Sequence, residues 1–344
     1  MPDEFAGELS DPLLAVMRKA IDASLDARGL SSPNPPVGAV ILDADGMVAG
    51  VGHTSAPGGP HAEVAALAEA GPRAAGGTAV VTLEPCNHTG RTGPCTQALI
   101  DAGVRSVVYA VSDPNPIASG GHGRLVEAGL TVRSGVGAEA VSTGPLSEWL
   151  FRVRHDRPMI TAKFAASLDG RIAAPDGTSQ WITGGRSRER VHLERSRIDA
   201  IVVGTGTVLA DNPTLTARHP DGSLRARQPL RVIAGRSELP TDSKIFNADA
   251  RTVQIREHDP RLVIEALGDL LNVQIEGGSR LLGAFFAAGL IDRVQAYIAP
   301  LVIGGGAAAV VDDTVQTLTQ GHRFTTQSVE TLGDDVLLTL TANR

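Results

Sequence analysis

Three potential metal ligands and one carboxylate lie close together in the first third of the 344-residue chain. His61 precedes Glu63 by two residues, and the only two cysteines of the chain, Cys86 and Cys95, each follow a proline. One neutral imidazole and two thiolates make a three-ligand zinc site with an open fourth position, which is typical of catalytic zinc. The pattern therefore predicts a zinc ion held by His61, Cys86 and Cys95.

Glu63 is predicted to act as a general base and acid beside this metal rather than as a ligand. Side chains two residues apart do not share a face of a regular helix. Both can reach a metal at the helix N-terminal end, and Pro60 suits a helix start. Zinc lowers the pKa of a bound water toward ~7, and Glu63 would pass the water proton to a departing amine. A His-x-Glu followed by Pro-Cys is typical of zinc-dependent deaminases.

Two further histidines lie near this motif in the sequence. His53 and His88 are each either a substrate contact or an ordinary loop histidine. A substrate contact is favoured for His88, because it lies between the two cysteines.

Glycine pairs in the second half indicate a nucleotide. Residues 277–279, Gly-Gly-Ser, are predicted to join a strand to a helix, where free backbone amides attract a phosphate. Residues 204–207, Gly-Thr-Gly-Thr, are suited to the same role. Neither run completes the dinucleotide fingerprint, since Leu209 stands where the third glycine would be. Each pair is alternatively a plain turn.

The elements that must position these residues alternate between helix and strand in both halves. In the first half the sequence predicts helices at 11–29, 61–73, 94–102 and 120–129, and strands at 36–43, 47–52, 79–83, 104–111 and 130–133. This order predicts a central sheet with helices on both faces. In the second half it predicts strands at 159–165, 199–204, 229–234, 251–256, 272–276, 293–299 and 335–341, and helices at 186–197, 260–270 and 279–290. Residues 134–158 are predicted to connect the halves, with a solvated helix end at 152–158.

Composition excludes several classes of protein. The formal charge of −7 and the low aromatic content of 3% argue against a nucleic-acid binder. Two cysteines are too few for a disulfide-stapled secreted domain. The acidic N-terminus does not resemble a signal peptide, and the longest uncharged stretch contains Pro300 and three consecutive glycines, unlike a membrane span. A cytoplasmic location is expected.

Motifs of the first half resemble the deaminase half of the bifunctional deaminase/reductase of riboflavin biosynthesis. The motifs are residues 34–38, 61–63, 82–95 and 113–116. The long loop between the cysteines is similar to the pyrimidine deaminase of that pathway, whereas most cytidine and transfer-RNA deaminases have two residues there. The resemblance implies a cytidine-deaminase-like fold. The candidate contacts to the deaminase substrate are Asn34, His53, His88 and Arg91.

Motifs of the second half follow the order of the same family. They are residues 163–171, 179–183, 203–213, 215–218 and 276–278. The resemblance implies a dihydrofolate-reductase-like fold that uses NADPH. The implied cofactor contacts are Ala165, Trp181, Thr207, Asp211, Gly278 and Ser279. The implied contacts to the reductase substrate are Lys163, Ser179, Arg195, Leu215, Arg218 and Glu276. Arg195 and Arg218 suit a phosphate, because guanidinium donates two parallel hydrogen bonds.

These observations predict a two-domain α/β enzyme. Residues 1–147 are expected to form a three-layer α/β/α zinc-dependent pyrimidine deaminase domain, and residues 148–344 an α/β NADPH-dependent reductase domain. The expected reactions are deamination of 2,5-diamino-6-(5-phosphoribosylamino)pyrimidin-4(3H)-one and reduction of the ribosyl side chain of the deaminated product to ribityl. The expected partners are phosphorylated pyrimidines, without nucleic acid or membrane, and the chain is expected to form a homo-oligomer, either a dimer or a tetramer.

Three alternatives stay open at this point. In the first, the second half binds a nucleotide but has lost reduction, and NADPH oxidation is then absent. In the second, the chain is a nucleic-acid deaminase with a targeting domain, and it then binds RNA in a salt-sensitive way. In the third, the chain is a zinc-stabilised scaffold or nucleotide sensor, and a Glu63→Gln substitution then leaves its function unchanged.

Overall fold

The computed structural model of the chain describes residues 12–88, 93–115 and 119–343. Its contacts divide the chain into two compact units, the first ending at Asp156 and the second beginning at Arg157. The boundary predicted from the sequence, after residue 147, lies just inside the helix Ser147–His155. The whole of this helix belongs to the first unit. That helix ends where Asp156 takes a left-handed conformation with φ 53°, which is a common way for a helix to stop.

The first unit is built on a mixed five-stranded sheet. Strand β1 pairs antiparallel with β2 on one side and with β3 on the other. Strands β3, β4 and β5 run parallel to one another. The spatial order is therefore β2-β1-β3-β4-β5. The strands are β1 Gly38–Leu42, β2 Val48–His53, β3 Thr78–Leu83, β4 Ser106–Val111 and β5 Thr131–Ser134.

Helices cover both faces of this sheet, as the sequence predicts. The described helices of the unit are α1 Pro12–Ala27, α2 Ala62–Ala70, α3 Cys95–Asp101, α4 Gly121–Glu127, α5 Ala138–Thr143 and α6 Ser147–His155. A Cβ on Gly38 would lie 1.9 Å from the Ala20 carbonyl oxygen of α1, and one on Gly52 would lie 2.5 Å from the Ala62 carbonyl oxygen of α2. Gly52 pairs with Ala39 and so shares its face, whereas the neighbouring Gly38 faces the other way. Helices α1 and α2 therefore pack on opposite faces.

The predicted connector 134–158 is more structured than expected. It contains the helices α5 and α6, and Trp149 and Leu150 of α6 are buried. Glycines 135, 137 and 144 and the charged residues from Arg152 onward obscure these short helices in the sequence. The charged run does end a helix, as predicted, because α6 stops at His155.

The second unit is built on an eight-stranded sheet that is parallel except at one edge. The parallel strands follow the order β11-β6-β10-β7-β8-β9, and the antiparallel hairpin β12-β13 extends the sheet from β11. The strands are β6 Met159–Ser167, β7 Ala200–Gly204, β8 Leu230–Ala234, β9 Thr252–Ile255, β10 Asn272–Ile275, β11 Arg293–Ala299, β12 Phe324–Leu332 and β13 Asp335–Ala342. Strand β12 is the one of these that the sequence did not predict.

The helices of the second unit complete two apolar clusters. They are α7 Gly185–Arg195, α8 Thr205–Asp211, α9 Pro260–Glu265 and α10 Ser279–Ala287. Leu282, Phe285 and Phe286 of α10 are buried in the larger cluster, as their predicted helical spacing requires. Helix α8 is the one of these four that the sequence analysis does not predict. Within the described ranges, none of the helices has the length and apolar character needed to cross a membrane.

Candidate active sites

The predicted metal ligands come from three separate elements of the first unit. His61 immediately precedes α2, and its extended backbone (φ −73°, ψ 164°) turns the chain into the helix. Cys86 follows the end of β3, and Cys95 is the first residue of α3. Glu63 lies in the first turn of α2 with its side chain buried. The β3 strand end and two helix N-termini therefore bring these four residues to one place.

The three ligand atoms fit a zinc ion. His61 Nδ1 lies 3.6 Å from Cys86 Sγ and 3.3 Å from Cys95 Sγ, and all three atoms lie within 4.8 Å of one another. Tetrahedral zinc with bonds of about 2.3 Å to sulfur and 2.0 Å to nitrogen separates such ligands by roughly 3.5 Å. The imidazole and two thiols are the donor set that zinc prefers. We name His61, Cys86 and Cys95 the metal cluster.

The protonation of the two cysteines suits cation binding. The hydrogen bond from the Cys95 thiol, strengthened by contact with His61, lowers the pKa of Cys86 to about 4. The pKa of Cys95 is raised, because its thiol bonds to Cys86 and is buried. The backbone amide of Cys95 also donates to Cys86 Sγ at 3.5 Å. A divalent cation would supply the positive charge that lets both sulfurs ionise.

Glu63 has the character of a group that exchanges protons near neutral pH. Burial, and then the negative charge of Cys86, raise its pKa from 4.5 to about 7. A carboxyl group with a pKa near the working pH both accepts and releases protons readily. Its position beside the metal cluster matches the acid–base role predicted from the His-x-Glu spacing.

A cavity of about 270 Å³ opens onto the metal cluster. Two predicted substrate contacts, Asn34 and His88, line it together with His61, Glu63 and Cys86. The Nδ1 atom of His88 is buried and has no hydrogen-bond partner among the described residues. We call this space the first-unit cavity.

A third predicted contact of the deaminase substrate, His53, is not among the described residues that line this cavity. His53 ends β2, and its Nδ1 lies 3.2 Å from the carbonyl oxygen of Thr54, a cavity-lining residue. His53 is therefore the chain neighbour of a residue that lines this cavity. Arg91 lies outside the described residues.

Several cavity residues were not assigned a role from the sequence. Trp149 reaches the first-unit cavity from α6, far along the chain. Glu84 follows β3, and its carboxylate accepts from the amides of His122 at 2.9 Å and Asp113 at 3.3 Å. Asp113 and Asn115 line the same cavity. The family-like run 113–116 was a signal for the last two, whereas nothing local marks Trp149.

A larger cavity of about 570 Å³ lies in the second unit. Its lining includes ten of the twelve residues predicted to contact the cofactor or the reductase substrate. These residues are Lys163, Ala165, Ser179, Trp181, Arg195, Thr207, Asp211, Leu215, Arg218 and Glu276. We call this space the basic cavity.

Three of these residues form a buried charge cluster. Arg195 donates to Glu276 through Nε at 3.0 Å and Nη2 at 2.7 Å, and Lys163 Nζ lies 3.4 Å from the same carboxylate. Burial opposes ionisation of Glu276, but the charges of Arg195 and Lys163 prevail and lower its pKa. Burial lowers the pKa of Lys163, so its ammonium gives up a proton more readily than a solvated lysine.

Two further predicted cofactor contacts make hydrogen bonds within the protein. The Gly278 amide donates to Thr207 Oγ1 at 3.2 Å, and the Ser279 hydroxyl donates to the Ala308 carbonyl oxygen. Thr207 itself lines the basic cavity. The strand-to-helix turn at 277–279 thus lies behind Thr207, at the start of α10.

The basic cavity fits a phosphate-bearing cofactor and substrate. Its described lining includes five cationic side chains, of which Arg188 and Lys244 were not predicted, against the two carboxylates of Asp211 and Glu276. Trp181 is 71% exposed, and the guanidinium of Arg188 lies 4.7 Å from its ring centre. Exposed aromatic surface beside several cations suits a nucleotide, which carries both rings and phosphates. His192, also unpredicted, lines the same wall.

Both halves of the chain match known protein families. Residues 11–111 match the cytidine and deoxycytidylate deaminase zinc-binding region, and residues 158–338 match the RibD C-terminal domain. The first unit therefore has a cytidine-deaminase-like fold and the second the fold of the RibD reductase domain.

Relatives match over nearly the whole chain. The riboflavin biosynthesis protein RibD of Mycobacterium tuberculosis is 53% identical over 95% of this chain and 96% of its own length. RibD of Escherichia coli is 38% identical over 94% of this chain and 98% of its own. A diaminohydroxyphosphoribosylaminopyrimidine deaminase/5-amino-6-(5-phosphoribosylamino)uracil reductase of Thermotoga maritima has a solved structure with a TM-score of 0.86 and 31% identity, covering 96% of this chain and 98% of that one.

Proposed function

The chain belongs to the RibD family of riboflavin biosynthesis proteins, and from this premise we propose which residues perform its two reactions. It is a deaminase/reductase that uses zinc and NADPH. It deaminates 2,5-diamino-6-(5-phosphoribosylamino)pyrimidin-4(3H)-one and then reduces the ribosyl side chain of 5-amino-6-(5-phosphoribosylamino)uracil to ribityl. The observation that carries the assignment of residues is the convergence of His61, Cys86 and Cys95 beside the buried Glu63.

Deamination belongs to the first unit and reduction to the second. The predicted division after residue 147 would leave α6 with the reductase. We instead assign α6 to the deaminase domain. Trp149 of α6, which lines the first-unit cavity, supports this assignment, as does the division of contacts after Asp156.

In deamination, His61, Cys86 and Cys95 would hold the zinc ion, which when bound makes a water molecule acidic enough to supply hydroxide near neutral pH. Glu63 accepts the proton of the attacking water and delivers it to the exocyclic amine. The carbon–nitrogen bond breaks and ammonia leaves. The second proton of the water passes to the ring nitrogen as the oxygen becomes a carbonyl. A pKa of about 7 lets Glu63 perform both transfers.

The substrate is held by the other walls of the first-unit cavity. Asn34 and His88 are the contacts that line it, and the buried Nδ1 of His88 is available to the pyrimidine. Arg91 is assigned to the same substrate from its motif, and its guanidinium suits the ribose phosphate. His53 is assigned to the support of the cavity wall, because its Nδ1 lies 3.2 Å from the carbonyl oxygen of Thr54.

In reduction, NADPH supplies the hydride, and the basic cavity orients the two reactants. Ala165, Trp181, Thr207, Asp211, Gly278 and Ser279 are assigned to the cofactor. The Gly278 amide also bonds to Thr207, and the Ser279 hydroxyl to the Ala308 carbonyl oxygen. The contacts assigned to the pyrimidine substrate are Lys163, Ser179, Arg195, Leu215, Arg218 and Glu276. Arg218 suits the substrate phosphate, and Lys163 is placed to donate the proton that accompanies the hydride.

A Glu63→Gln substitution tests the deaminase assignment. Glutamine keeps the shape of the side chain but does not carry the proton, so we expect ammonia release to fall by about 10²- to 10⁴-fold while zinc per chain stays unchanged. Ammonia release and metal content are measured on the same preparation. Glu69→Gln is the matched control, because Glu69 lies exposed on the same helix and bonds to the Val51 amide. Full ammonia release by Glu63→Gln would instead support the zinc-scaffold alternative for this site.

The assembly and location of the enzyme are also part of the proposal. A homo-oligomer, dimer or tetramer, is expected, and light scattering should give a particle mass of two or four chains. A cytoplasmic location is supported by the chemistry of the metal cluster, which needs Cys86 and Cys95 reduced, and both are free thiols.

A further inference from the structure

Arg231 is the largest fully buried side chain of the described residues, with no exposed surface. It lies in β8, between β7 and β9. Arginine is rarely buried without a compensating partner. Arg231 is not among the residues assigned to the cofactor or the substrate, and it is not among those that line the basic cavity. Its partners therefore need an explanation.

The guanidinium of Arg231 joins two chain segments. Nη1 donates to the Thr214 carbonyl oxygen at 3.0 Å and to Asn247 Oδ1 at 2.7 Å. Nη2 donates to the Asn247 carbonyl oxygen at 2.7 Å and to the Ala250 carbonyl oxygen. The first segment, residues 211–218, contributes six residues to the wall of the basic cavity, and the second, residues 244–250, contributes Lys244. We call them the wall segment and the support segment.

A chain of hydrogen bonds runs from Arg231 to Arg218. Arg231 bonds to the side-chain oxygen of Asn247, and the Asn247 amide nitrogen donates to Asp249 Oδ2 at 3.0 Å. The same Asp249 oxygen accepts from Arg218 Nη2 at 3.4 Å. Arg218 faces the basic cavity. These bonds thus connect Arg231 through the support segment to the Arg218 guanidinium, which also donates to Thr216 Oγ1 at 2.9 Å and to the Gly222 carbonyl oxygen at 3.0 Å.

The wall segment adopts a backbone that needs such support. Asn212 and Leu215 have φ values of 41° and 52°, and this left-handed region disfavours a branched side chain such as leucine. Leu215 is buried in one apolar cluster with Ile245 of the support segment and Ile233 of β8. Asn212 Oδ1 also accepts from the Lys244 amide at 2.7 Å. Arg231 bonds to Thr214, the residue directly before Leu215.

Resting on the proposed reductase function, we propose that Arg231 is a positioning residue for the reductase substrate. It holds the wall segment in its left-handed conformation and, through Asn247 and Asp249, sets the direction of Arg218. Arginine suits this role because its planar fork reaches acceptors on two segments at once. Lysine offers one nitrogen in place of the two that Arg231 uses.

The test compares NADPH oxidation by three variants with the deaminated pyrimidine as substrate. Asn247→Ala cuts the connection to Asp249 at a half-buried position outside the strands, so it tests the proposal even if changes at Arg231 prevent folding. Arg231→Lys retains the charge with fewer donors, and Arg218→Ala removes the proposed phosphate contact. Arg256→Ala is the control, because Arg256 lies in an exposed pair with Glu238. Ammonia release by the first unit measures the amount of intact enzyme in each preparation.

We expect Asn247→Ala and Arg231→Lys to raise the KM for the pyrimidine by about 10-fold, with kcat changed much less. A purely structural role would lower the melting temperature and the amount of active enzyme but leave KM unchanged. If both variants keep the wild-type KM while Arg218→Ala raises it, the positioning role is wrong. If Arg218→Ala also keeps the wild-type KM, the chain of hydrogen bonds ends at a residue that does not bind the substrate, and the proposal fails. Absence of NADPH oxidation by the unmodified enzyme would overturn the proposed reductase function, and this inference with it.

Discussion

Glu276 places one negative charge between two buried cations. It bonds to Arg195 with two hydrogen bonds and to Lys163 with one, and Gln274 adds a fourth at 2.7 Å. These four hydrogen bonds, from three partners, satisfy a carboxylate that is 7% exposed. Removing the charge would leave two cations facing each other in a poorly solvated place, which is more costly than losing an ordinary ion pair.

We expect Glu276→Gln to lower the free energy of unfolding of the second unit by about 3–5 kcal/mol at neutral pH. Calorimetry resolves this as a lower transition for that unit. Glu238→Gln is the control, because Glu238 is 84% exposed and its ion pair with Arg256 is solvated. A transition of Glu276→Gln that coincides with that of the wild type would contradict the role given to this charge cluster.

The same cluster sets a pH dependence. The pKa of Glu276 is lower in the folded enzyme than its ordinary value of 4.5. Its stabilising contribution is therefore complete above about pH 4.5 and is lost as the pH falls through the lower folded value. The difference in melting temperature between wild type and Glu276→Gln should be constant from pH 7 to pH 5 and shrink below pH 4.5. A difference that grows on acidification would have the wrong sign.

Residue types identified the chemistry better than they identified the surroundings. His61, Glu63, Cys86 and Cys95 stand in short motifs whose types and order suffice to predict a zinc deaminase. Trp149 has no such mark, because it reaches the first-unit cavity from a helix that the chain forms much later. Gly278 and Ser279 were predicted from a local pattern, whereas tertiary contacts with Thr207 and Ala308 engage their polar groups.

At the scale of elements, the close approach of α2 to β2 positions the metal cluster. A Cβ on Gly52 would lie 2.5 Å from the Ala62 carbonyl oxygen and 2.5 Å from the Ala66 amide. Ala62 lies between His61 and Glu63 in the chain. Any side chain at position 52 must therefore move the first turn of α2 and, with it, a metal ligand and the general base.

We expect Gly52→Ala to lower the free energy of unfolding of the first unit by about 1–3 kcal/mol through overpacking. Displacement of His61 and Glu63 should reduce ammonia release by about 10- to 100-fold. Gly123→Ala is the control, since a Cβ there meets nothing within 4 Å and alanine favours helix α4 by roughly 0.5–1 kcal/mol. Equal ammonia release by both variants would show that this packing does not position the site.

Most elements followed from local patterns of hydrophobicity, but strand β12 and helices α5, α6 and α8 did not. Strand β12 carries few apolar residues and lies at the sheet edge, where one side of the strand has no neighbour, so its burial pattern is weak. Helices α5 and α6 are short and follow glycines. Their stability comes from tertiary burial, for example of Val141 and Trp149, and a single sequence does not display it.

At the scale of the whole molecule, each unit has its own sheet, and each has its own cavity. The metal cluster and Glu63 lie in the first unit, and the basic cavity is lined by residues of the second. The parts assigned to each reaction therefore do not share a residue. This separation predicts that one activity can be removed while the other is kept.

Removal of the metal tests this independence. A chelator that strips zinc should abolish ammonia release, because the ligands His61, Cys86 and Cys95 all serve deamination. NADPH oxidation with supplied 5-amino-6-(5-phosphoribosylamino)uracil should stay within about twofold of the untreated enzyme, since the reductase residues do not bind the metal. Readdition of zinc should restore ammonia release. Parallel loss of both activities on chelation would contradict the assignment.

The central claim is that one chain performs both reactions in sequence, and the stoichiometry of the two products tests it most directly. The enzyme is given 2,5-diamino-6-(5-phosphoribosylamino)pyrimidin-4(3H)-one with excess NADPH, and ammonia and NADPH are followed together. We predict one NADPH oxidised for each ammonia released, with a lag in NADPH oxidation, and ammonia release alone when NADPH is omitted. Ammonia release without any NADPH oxidation, also when the deaminated intermediate is supplied, would contradict the claim and leave a deaminase joined to a domain without reductase activity.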